Sequence, residues 1–105
     1  MGQVLKLSKL SVRFVEVVNN WKSELAPRAH MEKPHGVYFH CPRCQPVHAI
    51  VQLFDMPEVA PNVQPHGRLK AINTSLERLT VRGEIESPTR CGWKGHIRNG
   101  CVYFD

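Results

Sequence analysis

Two cysteines separated by two residues, in His40-Cys41-Pro42-Arg43-Cys44, set the strongest constraint on this chain. Thiolates at C-x-x-C spacing reach one ion from a single tight turn, and a distant Cys with a nearby His completes a tetrahedron around it. The chain supplies that second half in Cys91-Gly92-Trp93-Lys94-Gly95-His96. An ion shared by the two segments ties the middle of the polypeptide to its end, so any fold has to bring residues 41 and 91 together.

A staple of this kind suits a chain of 105 residues. Such a chain buries only about 60–65% of its unfolded surface, and the core that results is marginal. Structural zinc adds on the order of 10 kcal/mol, because its binding free energy becomes folding free energy. One domain spanning residues 1–105 is the expectation. The four cysteines could instead form disulfides in an oxidising compartment. Against this, Lys6 and Lys9 interrupt the N-terminal apolar residues, leaving no secretory signal core, and Lys6 stands where a myristoylation motif takes Ser or Thr. No apolar run nears the roughly 20 residues needed to span a bilayer. The expected setting is a reducing cytoplasm, with no membrane partner.

The elements read as strands joined by turns. Leu10 to Val18 is rich in β-branched residues, with Leu10, Val12 and Phe14 on one face at period two. Trp21 to Glu32 is the one stretch with room for a short helix, which Pro27 limits. Gly36 to His40 leads into the cysteine pair and Val47 to Phe54 leaves it, so the pair sits at the tip of a hairpin. Met56 to Gly67 carries Pro57, Pro61 and Pro65 and reads as an exposed loop. Arg68 to Asn73 and Leu79 to Arg82 are short strands. Asn99-Gly100 marks a type I′ turn that pairs Arg98 with Cys101, Ile97 with Val102 and His96 with Tyr103. That register puts Ile97, Val102 and Phe104 on an apolar face, and Lys94, His96, Arg98, Cys101 and Tyr103 on the other. The fold class is therefore mainly β: a small zinc-stapled antiparallel or mixed sheet built of hairpins, with at most one short helix.

For the metal, Cys41, Cys44 and Cys91 rank as ligands, with His96 ahead of Cys101 for the fourth place. Parity does not decide between those two, because a knuckle turn at 91–94 resets it. His40 and His48, which flank the Cys pair, are reserve ligands, and His30, His35 and His66 read as surface residues.

The stretch Ser75-Leu76-Glu77-Arg78-Leu79-Thr80-Val81, then Gly83-Glu84-Ile85, then Cys91-Gly92-Trp93-Lys94-Gly95-His96-Ile97-Arg98-Asn99-Gly100, resembles a small domain-of-unknown-function family of phages and mobile elements. That family also occurs beside bacterial ubiquitin-like conjugation genes. Its members join an early C-x-x-C to a late LTL-x-PSI strand and a CGWHG-x-I-x-N/D-G hairpin, and the opening Leu5 to Val18 is similar to its first strand. This chain departs from the pattern at Gly83-Glu84, where Pro-Ser stands in the family, and at Lys94, where the family has His. The resemblance implies a zinc-stabilised β domain and no particular reaction.

Catalytic readings fit poorly. His30-Met31-Glu32 before the Cys pair imitates a deaminase H-x-E…P-C-x-x-C pattern, but Pro42 lies inside the pair and neither half opens a helix. A thioredoxin-like dithiol needs a helix after it, where this chain has Pro46 and a β-rich run. The expectation is a non-enzymatic binding protein of phage or mobile-element type, an inhibitor docking on a host protein complex through the Pro-rich loop and the basic hairpin. The alternative is a nucleic-acid-binding zinc ribbon. The net charge of +5 suits either acidic partner. Most Lys and Arg are scattered as solvated surface, so the partner-binding candidates are Lys94, Arg98, Trp93 and Arg43, with Arg90 and Tyr103 beside them. For Trp93, a core role beneath the knuckle competes with stacking on a base.

Overall fold

The computed structural model describes residues 2–19, 24–29, 31–44, 48–57, 68–73, 75–87 and 92–104. The chain forms β1 (Gln3–Lys6), a 3-10 turn (Leu7–Lys9), β2 (Arg13–Asn19), β3 (Glu24–Arg28), β4 (Gly36–His40), β5 (Ala49–Leu53), β6 (Lys70–Ala71), β7 (Val81–Arg82), β8 (Ile85–Glu86), β9 (Lys94–Arg98) and β10 (Cys101–Phe104). These make a first sheet in the order β1-β10-β9-β8, a second in the order β3-β2-β4-β5, and a ribbon of β6 and β7. All pairings within them are antiparallel, as the hairpin reading expects.

The 3-10 turn is the corner between the sheets. Leu7 and Leu10 are buried there, the Leu7 N–H donates to the Gly100 carbonyl of the first sheet, and the Leu10 carbonyl accepts from His40 of the second. Ser11 follows with φ 53°, a left-handed turn that re-aims the chain. For this reason the expected strand from Leu10 begins only at Arg13, and Leu10 and Val12 reach the core from a turn rather than a ladder.

The inner faces of the two sheets share one apolar cluster. Val37, Phe39 and Ile50 come from the second sheet, and Ile85, Ile97 and Val102 from the first, with Trp93 and Cys41 among them. A smaller cluster of Val15, Val17 and Leu53 covers the other side of β2 and β5. Burial on both sides explains why β2 reads as a nearly continuous β-branched run instead of alternating.

The stretch with room for a helix contains a strand instead. Glu24–Arg28 pairs with β2, placing Pro27 opposite Val15. β3 lies at the edge of its sheet, where a residue without an N–H costs no ladder hydrogen bond. His35, expected at the surface, is half-buried and structural: its Nδ1 accepts the Val17 N–H at 2.9 Å. That bond lies at the irregular register between Val17 and Asn19, where the β2–β3 ladder shifts. The Pro-rich loop falls outside the described residues beyond Pro57.

The closing hairpin follows the expected register at all its pairs. Asn99 and Gly100 both take left-handed φ, 50° and 72°, as a type I′ turn requires. The turn is also docked: Asn99 N–H donates to Thr80 Oγ1 and Gly100 N–H to the Leu79 carbonyl. A Cβ on Gly100 would lie 2.5 Å from the Glu77 carbonyl oxygen.

Candidate metal centre

The β4–β5 hairpin carries the site at its tip. His40 pairs with Ala49 as the last rung, so Cys41 and His48 face each other as the next pair. The Cys41 N–H donates to the His48 carbonyl at 3.1 Å, closing the loop, and the Cys44 N–H donates to the Cys41 carbonyl at 3.2 Å, folding residues 41–44 into a turn. This arrangement swings Cys44 back over Cys41. The ligating atoms of Cys41, Cys44 and His48 consequently lie within 4.8 Å of one another, a group able to hold a metal ion.

The donors suit such an ion. Zinc–sulfur bonds of about 2.3 Å at a tetrahedral angle separate two sulfurs by about 3.8 Å, so gathering the group around an ion takes only rotamer-scale adjustment. Cys41 is fully buried, whereas Cys44 and His48 are half-buried. Cys41, Cys44 and Cys101 form no disulfide.

The group contains His48, and neither His96 nor Cys101. His96 stands on the outer face of β9, where its Nδ1–H donates to the Gly83 carbonyl at 3.2 Å. Cys101 is half-buried on β10, paired across to Arg98 and to Lys6, and shares a cavity with Ser8, Glu77 and Asn99. Cys91 lies outside the described residues. Its successor Gly92 takes a left-handed φ of 68° and lines one cleft together with Arg43 of the cysteine turn.

Trp93 is not a surface aromatic. It is 1% exposed, edge-on to Phe39 at 6.0 Å and tilted against Phe104 at 5.8 Å. Cys41 belongs to the same cluster and Cys44 packs against it. A stacking role for Trp93 is thereby excluded, and its indole packs against Phe39 in the cluster that Cys41 joins. Its Nε1 is buried without a hydrogen-bond partner. Gly95 makes room for the ring, since a Cβ there would lie 2.6 Å from an indole carbon.

Lys94, Arg98, Arg43 and Tyr103 are exposed, and Arg90 lies outside the described residues. Lys94 lies 3.9 Å from Glu86, a loose ion pair between solvated side chains, Arg98 covers Tyr103 with its guanidinium carbon 5.9 Å from the ring centroid, and Arg43 projects from the turn. No helix among the described residues is long and apolar enough to cross a membrane.

His48, a reserve ligand in the sequence reading, enters the group because the His40–Ala49 rung sets it opposite Cys41. Compared with family models, with curated proteins and with solved structures, the chain matches none.

Proposed function

We propose that this protein is a non-catalytic binding domain stapled by a structural zinc ion, with Cys41, Cys44 and His48 as three ligands and Cys91 as the fourth. The observation that carries the reading is the convergence of two thiols and an imidazole at one hairpin tip. Chain connectivity supports the fourth ligand, because Gly92 borders the same cleft as Arg43. A Cys3His set is of the closed, structural kind; a catalytic zinc keeps a position open and has a carboxylate at hand to move protons.

The staple orders the first sheet, whose outer face is the docking surface. Lys6, Lys94 and Arg98 project from it around Tyr103, with Glu86 as the opposing acid. An anionic partner fits that face. The host-complex inhibitor expected from the sequence is a narrower form of the same reading, in which the partner is an acidic protein surface.

Cobalt substitution tests the ligand set. Co(II) in a tetrahedral thiolate site gives intense visible and sulfur-to-metal charge-transfer bands. Cys41→Ser, Cys44→Ser and Cys91→Ser should each weaken the charge-transfer band, and His48→Ala should shift the visible bands. His96→Ala and Cys101→Ser should leave the spectrum unchanged. A spectrum altered by His96→Ala and untouched by His48→Ala would overturn the assignment.

A further inference from the structure

We infer that the outer face of the first sheet binds single-stranded nucleic acid, with Tyr103 as the stacking platform for a base. This rests on the reading of that face as a docking surface and names its partner.

The register fixes the layout. Val4, Tyr103 and His96 form one row across β1, β10 and β9, and Lys6, Cys101 and Arg98 form the row next to it. Tyr103 therefore sits near the middle of the sheet, 42% exposed, with Val4 beside it 54% exposed. Tyr103 and Val4 together leave an open apolar step on an otherwise charged face. Around it the charge is positive: Lys6 and Arg98 on the neighbouring row and Lys94 beyond His96, against Glu86. A cleft of about 630 Å³ continues the face past Tyr103 toward Arg43 and is walled by Gln3, Glu84 and His96.

These groups match an unpaired strand better than a duplex. Each base offers a π-face to an aromatic platform, and a backbone of phosphates runs past cations spaced along the sheet. In a duplex the bases are already stacked on each other, so an exposed ring has nothing to engage. Arg98 is the covering group. Its guanidinium already lies 5.9 Å from the Tyr103 centroid, and lifting it by a base thickness sandwiches the base between the two. His96 contributes at its outer edge: with Nδ1 engaged by the Gly83 carbonyl, Nε2 is the ring nitrogen left to meet a base edge. An acidic protein surface would use the same cations but would leave Tyr103 without a partner of its own kind.

Fluorescence anisotropy on the full chain decides the matter, with labelled oligo(dT) and oligo(rU) of about 16 nucleotides, the upper end of site sizes on small β folds. A duplex of equal length, heparin and polyglutamate serve as comparison probes. The expected result is single-strand binding whose logarithm falls linearly with log salt. Tyr103→Leu should weaken it roughly 10- to 100-fold, as loss of one stacked base does. Tyr103→Phe should keep it. Lys94→Ala should lower the salt slope by about 0.7 if it holds one phosphate. Binding of duplex or polyglutamate as tight as single strands, with Tyr103→Leu indifferent, would overturn the nucleic-acid assignment and leave the docking face standing with an acidic protein partner. No binding of any of these polyanions at low salt would overturn the docking face itself. Because the substituted side chains are exposed, circular dichroism should report an unchanged fold in each variant.

Discussion

Adding one methyl group at Gly95 measures how tightly the Trp93 indole is packed. A Cβ built there lies 2.6 and 2.7 Å from two indole carbons of Trp93 and 2.8 Å from the Tyr103 carbonyl oxygen, where ordinary contact begins at 3.4 Å. The indole would have to withdraw about 0.8 Å. It has no open side to withdraw into, being 1% exposed and held by Phe39 and Phe104. The carbonyl belongs to the β10 ladder and moves only with it. Overpacking of this kind costs about 1–3 kcal/mol, equivalent to a Tm lowered by about 4–8 °C for each kcal/mol in a domain of this size. Urea denaturation of Gly95→Ala should therefore show a lower midpoint with an unchanged slope. Gly92→Ala is the control: with φ 68° and nothing within 4 Å of its Cβ, it carries only the left-handed backbone penalty, about 1 kcal/mol. In a Trp93→Leu background the methyl at position 95 should cost at least about 1 kcal/mol less than in the parent, as a double-mutant cycle reports for groups in contact. If Gly95→Ala were as stable as the parent, or cost the same with and without the indole, the packing described around Trp93 would be wrong.

Gly100→Ala combines a φ of 72° with a 2.5 Å approach to the Glu77 carbonyl oxygen, so it should cost more than Gly92→Ala, about 2 kcal/mol or above, in the same urea assay. Leu10→Ala removes a fully buried side chain from the corner between the sheets and should lower stability by about 2–5 kcal/mol. Glu16→Ala breaks the 3.0 Å pair with Arg28, whose side chains are 37% and 49% exposed, and should change stability by less than about 1 kcal/mol. Chelation should lower the thermal midpoint and restored zinc should recover it; the same loss should follow acidification, because thiols and imidazole must shed protons to ligate.

Much of the fold was legible because its strands are bounded by residues with strong local preferences. Asn99-Gly100 admits left-handed φ at both positions, and everything paired across that turn followed from it. β4 could be bounded to the residue, since Gly36 opens it and Cys41 closes it. A Cβ on Gly36 would lie 2.6 Å from the Gln52 carbonyl oxygen, which is a tertiary reason for that glycine. β3 was illegible for a physical reason: an edge strand exposed at four of its five positions shows no alternation, and its proline looks like a helix breaker. The strand from Leu10 was drawn too long because the Ser11 turn has no Gly, Asn or Asp to announce it. At the site, the Cys pair declares itself by spacing, whereas His48 joins the candidate group only through the register of the hairpin around it. His96 drew attention by sharing a face with Cys101, and its ring is engaged instead by the Gly83 carbonyl on the neighbouring turn. Trp93, between Gly92 and Lys94, carries no local sign of which side it faces.

The most direct test of the staple is zinc-edge X-ray absorption on the purified chain, together with its metal content. The expected result is one zinc per chain, sulfur neighbours at about 2.3 Å and an imidazole nitrogen at about 2.0 Å, with both shell and fold lost on Cys41→Ser. A folded chain that contains no metal, and whose spectrum and stability are indifferent to chelator and to Cys41→Ser and His48→Ala, would contradict it.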